Sequence, residues 1–135
     1  MQNLYKDYAQ VIHNAELGCL EVIFSGFITF DELKEVIDYE FKMFTHFNLK
    51  KCVVNLRDIT VYPQGGQEYI KNIWFPWVVA HGVKVIAIVV PDDVFAQMSM
   101  QEAHSVDAKP LTTKYFQNYT EALAWVQMNG VAVSL

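Results

Sequence analysis

The sequence contains one arginine, Arg57, and its 10 basic side chains face 15 acidic ones, for a formal net charge of −5. Nucleic-acid binders display clustered basic groups with arginine as the bidentate donor, so general nucleic-acid binding is excluded. Long apolar runs are missing too. The stretches Trp74 to Ala80 and Val85 to Val90 fall far short of the roughly 20 residues of a spanning helix, so no integral membrane segment is expected. The opening Met1-Gln2-Asn3-Leu4-Tyr5-Lys6-Asp7 lacks the basic-then-apolar layout of a secretory signal. Cysteine is scarce: Cys19 and Cys52 stand in apolar, strand-like surroundings without metal-ligand neighbours, the setting of buried thiols. Together these absences predict a cytoplasmic protein.

What is present is core-forming material. Hydrophobic residues make up 53% of the 135 positions, enough to exclude intrinsic disorder and to fill one domain. Gln10 to Ala15 and Cys19 to Phe24 read as two strands joined by Glu16-Leu17-Gly18, a connection short enough for an antiparallel hairpin. Thr29-Phe30-Asp31-Glu32 has the spacing of a capping box. The helix behind it carries Leu33, Val36, Ile37, Phe41 and Phe44 on one stripe, with Glu35, Asp38, Glu40 and Lys42 assigned mainly outside, and it should end near Asn48. Lys51 to Leu56 is a strand. Pro63-Gln64-Gly65-Gly66 then opens a second helix with Tyr69, Ile70, Ile73, Trp74 and Trp77 at helical spacing. Pro76 should kink that helix, and Gly82 should stop it. Val83 to Val90 is a strand covered on both faces. A third helix follows Pro91 to Ala103, then a loop with Pro110, a short edge strand at Lys114-Tyr115-Phe116, and a helix from Asn118 to Gly130. The order is β-β-α-β-α-β-α-β-α: a single α/β domain with a small mixed sheet.

This order resembles the SpoIIAA-like or STAS fold, and within it a largely uncharacterised bacterial branch labelled CRAL-TRIO-like. Ser25-Gly26-Phe27-Ile28-Thr29, Val53-Val54-Asn55-Leu56-Arg57-Asp58, Trp74-Phe75-Pro76-Trp77, Gly82 to Ala87, and Phe116 with Glu121 to Trp125 carry the likeness, which covers nearly the whole chain. In anti-anti-sigma factors of that fold, the turn before the second helix holds a phosphoacceptor serine. The resemblance places Pro63 and Gln64 at the aspartate and serine positions of that turn, with Gly66 matching its helix-opening glycine. Glutamine has no hydroxyl, so the phospho-switch is absent and serine kinases of that type should leave the turn unmodified.

Nothing in the sequence assembles a nucleophile, a base and an orienting group. His13, His46, His81 and His104 lie on different elements without the spacing of a metal pair. Gly65-Gly66 lacks the Lys-Ser/Thr of a phosphate loop. No catalytic residue, metal ligand or cofactor is therefore assigned. The aromatic segment says more. At about 100° per residue, Trp74 and Trp77 can share a core stripe while Phe75 points elsewhere. A kink at Pro76 would splay the second helix from the third and open a groove. Trp74, Phe75, Trp77, Phe95 and Met98 would line it, with Arg57 and Asp58 giving polar orientation at its mouth.

The reading is a non-enzymatic STAS-like binding module for a small apolar ligand or a protein partner. The alternative is a hydrolase or transferase using His104 or the Arg57-Asp58 corner. The tail Val131-Ala132-Val133-Ser134-Leu135 carries no charged side chain, and soluble proteins cover such segments, most often by two-fold pairing. Light scattering should therefore give about twice the 15.5 kDa of one chain; a monomer at tens of micromolar would refute the homodimer.

Overall fold

The computed structural model describes residues 1–61, 63–91 and 111–129. The helix predicted after Pro91, with Phe95, Met98 and His104, lies outside the described residues, as does the tail 131–135. Among the described residues, six strands form one mixed sheet in chain order: β1 (Leu4–Tyr5), β2 (Ala9–Asn14), β3 (Cys19–Phe27), β4 (Lys51–Val61), β5 (Val85–Val89) and β6 (Thr112–Phe116). The first three are antiparallel neighbours, and β3, β4, β5 and β6 run parallel. Strand β1 has two residues, too few for any alternation to announce it. Strands β3 and β4 run past their predicted ends at Phe24 and Leu56. Their pairing steps from Ile23↔Asn55 to Ser25↔Asp58, so β4 accommodates one extra residue as a bulge.

Helix α1 (Phe30–Phe47) begins with the predicted capping box. The Thr29 hydroxyl accepts from the Glu32 N–H at 3.1 Å, and the Glu32 carboxylate accepts from the Thr29 N–H at 3.0 Å. It ends at Asn48, whose φ of 53° lets the Leu49 N–H return to the Phe44 carbonyl at 3.0 Å. Helix α2 is continuous but not uniform: an α-helical turn (Gly66–Tyr69), a π-turn (Ile70–Trp74) and an α-helical segment (Phe75–Ala80). It closes at Gly82 (φ +81°), where the Gly82 and Val83 N–H groups bond the Val79 and Val78 carbonyls. Helix α3 (Tyr119–Met128) is capped by Asn118, which accepts from the Glu121 N–H at 3.0 Å.

Strand alternation sorts the core into two layers. Leu20, Val22, Cys52, Val54, Leu56, Ile86 and Ile88 face α1 and α2. Cys19, Val53, Val85, Ala87 and Val89 face α3 through Ala122 and Val126. On the α3 side Lys51 is buried beneath the helix, with Nζ 3.5 Å from the Val126 carbonyl. Among the described residues no helix is long and apolar enough to cross a membrane.

Two side chains depart from the helical-wheel expectation. Glu40, assigned outside the α1 stripe, is 2% exposed. Phe75, assigned away from the core, is 0% exposed, next to Trp74 at 3%. The π-turn explains the second departure. Pro76 has no N–H and its ring crowds the carbonyl four residues back. The helix widens just before it, and the Phe75 N–H bonds the Ile70 carbonyl five residues back. A wider turn rotates successive residues less, so Trp74 and Phe75 both point inward, their rings edge to face at 5.0 Å. Truncation of Phe75 to alanine should cost about 3–5 kcal/mol, the range for fully buried aromatics, read as a lower urea midpoint. A loss under about 1 kcal/mol would place Phe75 outside the core.

Candidate functional site

The inner faces of α1 and α2 meet along a seam with two sides. On the inside, the Trp74 indole Nε1–H donates to Glu40 Oε1 at 2.9 Å. Beside this bond lies a cavity of about 20 Å³, walled by Phe24, Leu33, Ile37, Val54, Leu56 and Ile70 together with Glu40 and Trp74. A space of that size holds about one water molecule. Burial pushes the Glu40 carboxyl up to about 8, and the Trp74 bond lowers it only in part. At neutral pH Glu40 is therefore a carboxylic acid, a donor as well as an acceptor. From the sheet, Cys52 faces the same interior, and burial holds its thiol well above the ordinary range.

On the outside, Phe41, next to Glu40 on α1, and Trp77, three residues after Trp74 on α2, build a stack of rings. Phe41 lies on Trp77 at 4.1 Å and 13°, and His81 lies on Trp77 at 3.7 Å and 13°. The Phe44 ring lies tilted beside Trp77, with the centroids 5.9 Å apart. The Trp77 carbonyl is 2.9 Å from His81 Nδ1; a carbonyl can only accept, so Nδ1 carries a proton and the imidazole is fixed in place. The groove over this stack has a volume of about 560 Å³ and is lined by Met1, Phe41, Lys42, Thr45, His46, Trp77 and His81. Its described lining holds three nitrogen bases and no carboxylate.

Among the described residues, the sequence-predicted site residues fall in separate places. Trp74 and Phe75 belong to the interior, and Trp77 alone of the aromatic segment reaches the groove. Arg57 and Asp58 line neither the cavity nor the groove. Arg57 sits at the β4 bulge, where its N–H bonds Asn55 Oδ1 at 3.0 Å and its guanidinium donates to the Gln117 carbonyl at 3.2 Å, just past β6. Phe95 and Met98 lie outside the described residues. The Gly65-Gly66 turn forms a pocket with Pro63, Gln64, Gln67 and Glu68, whose one ionisable group is a carboxylate. Glu40, Phe41, Lys42, His46 and His81 were not anticipated as site residues. For Glu40 the signal was available: it falls three residues after Ile37 and four before Phe44, in the middle of the apolar stripe.

No family model matches the chain, and no curated protein matches it. Among solved structures it is similar to an uncharacterised protein of the DUF3478 family, with a SpoIIAA-like fold, from Shewanella loihica PV-4. The likeness has a TM-score of 0.57 at 12% identity and covers 93% of this chain and 98% of that one. The fold is therefore SpoIIAA-like, as the resemblance in the sequence implied, and the comparison extends to the fold alone.

Glu40 has a measurable thermodynamic signature. Its ordinary value is 4.5 and its folded value about 8, so between those limits the folded state keeps a proton that the unfolded chain has released. The contribution of Glu40 to stability is then full below about pH 4.5, falls by up to about 1.4 kcal/mol per unit across the window, and levels off above about pH 8. Urea titrations of wild type and Glu40→Gln across this range should diverge, the variant gaining on wild type as pH rises. Parallel curves would show that Glu40 ionises freely in the folded protein.

Proposed function

We propose that this SpoIIAA-like domain is a binding module without chemistry of its own, and that it holds a small molecule with an apolar, ring-bearing body in the groove over Phe41 and Trp77. The observation that carries this reading is the groove itself. Its volume of about 560 Å³ lies within the roughly 300–1,000 Å³ of small-molecule sites. Its rings are already stacked and His81 is already hydrogen-bonded, so little side-chain freedom is lost on binding. Lys42, His46 and His81 give the lining an affinity for a negatively charged substituent. Arg57, tied to the Gln117 carbonyl, has no part in it, and neither does a phosphorylated turn, because Gln64 offers no hydroxyl.

The anilinonaphthalene sulfonate dye, an apolar ring system with one negative charge, is a suitable probe. It should bind the native protein with equimolar saturation and transfer energy from tryptophan. Lys42→Glu and His81→Ala alter exposed groups and should change folding stability by less than about 1 kcal/mol while weakening the dye at least about tenfold, or 1.4 kcal/mol. Dye binding that both variants leave intact would remove the groove from consideration.

A further inference from the structure

The seam joins two features that neither α1 nor α2 carries alone. Glu40 and Phe41 are successive residues of α1, one turned into the interior and the other onto the groove. Trp74 and Trp77 occupy the corresponding inner and outer positions on α2. One hydrogen bond and one ring stack therefore clamp the same two helices. Building on the groove reading above, we propose that protonation of Glu40 controls ligand binding in the groove: the seam is closed and the groove formed with Glu40 as an acid, and both loosen when it ionises.

The argument rests on what surrounds the carboxyl. From α2 it receives the Trp74 indole N–H. From β4 it faces the Cys52 thiol, a group itself kept neutral by burial. The remaining described walls, from β3, β4, α1 and Ile70, are hydrocarbon, and no described cation lies among them. A carboxylate there has one donor where it needs several, and an unpaired buried charge is among the most unfavourable arrangements in a protein. Water is the available remedy, but the cavity admits about one molecule. Further hydration requires α2 to move off α1. The wall that must give is the π-turn Ile70–Trp74, which supplies two of the lining residues and runs directly into the segment bearing Trp77. With Phe41 and Trp77 in contact at 4.1 Å, any such movement changes the floor of the groove. Burial raises Glu40 to about 8, which sets the transition on the alkaline side of neutrality.

Linkage makes the proposal testable from both ends, because a proton that favours ligand and a ligand that favours the proton must do so by the same factor. The same dye serves as probe. Its affinity for wild type should fall at least about fivefold between pH 6.5 and pH 9, while Glu40→Gln, which keeps the acceptor for Trp74 but cannot ionise, should stay within about twofold. The two proteins differ at position 40 alone, so the difference between the two curves isolates Glu40. Should Glu40→Gln fail to fold, carboxyl-resolved NMR titration of wild type answers the same question, since saturating dye must raise the Glu40 midpoint. Equal pH dependence in the two proteins, or a Glu40 midpoint indifferent to dye, overturns the proposal while leaving the groove intact. Absence of dye binding to either protein at pH 6.5 instead overturns the groove reading on which it rests.

Discussion

A carboxylic acid sealed among hydrocarbon side chains governs the arrangement of the two helices on the larger core face. Glu40 could have been a leucine at no cost to the pattern of α1, and burial of an acid there is tolerated because Trp74 supplies an N–H in the right place. The indole in turn is a large apolar group whose single polar atom needs a buried acceptor. Each therefore satisfies a demand that only the other creates. This reciprocity fixes the rotation of α2 about its own axis more tightly than apolar packing would, since hydrocarbon contacts tolerate small rotations and a hydrogen bond does not.

The π-turn makes that rotation compatible with Pro76. A regular α-helix through Tyr69 to Ala80 would have set the proline ring against a carbonyl and swung Phe75 away from the sheet. Widening one turn removes the clash and brings Trp74 and Phe75 inward together. Trp77 then emerges at the rim, where Phe41 and His81 cover its faces. The groove is thus a consequence of a backbone irregularity, and the irregularity is a consequence of one imino acid.

Much of the fold was legible in the sequence because it rests on local chemistry. The capping box at Thr29, the left-handed stop at Gly82, the doubly covered strand from Val85 and the Asn118 cap each depend on a few adjacent residues, and each appears where those residues demand. The candidate site was less legible, for two physical reasons. Assigning Glu40 outward follows from treating charge as fixed, whereas a carboxyl can shed its charge when burial is stabilising enough elsewhere. Assigning Phe75 outward follows from a rotation of 100° per residue, which fails wherever the turn is not α-helical. His81 and His46 come from the ends of two helices distant in sequence, and no spacing rule links them. A strand ending at Leu56 would put Arg57 and Asp58 at its carboxyl end, a favoured position for ligands, but β4 continues through both to Val61 and its bulge carries Arg57 toward Gln117.

The connectivity of the sheet also shapes how the chain assembles. Its spatial order is its chain order, β1 through β6, so no strand has to insert between two that are already paired. A nascent chain leaving the ribosome can add each strand to the edge left by the one before, and α1 and α2 can cover that sheet face as they appear. Each new strand finds its partner at the growing edge, with one helical crossover of chain between neighbours in the β3–β4 and β4–β5 pairs. That connectivity keeps contact order low for a mixed sheet. Assembly by accretion also leaves an unpaired edge available at every intermediate length, and among the described residues the last strand to join, β6, carries exposed Thr112 and Lys114, polar side chains of the kind that discourage edge-to-edge pairing with another molecule.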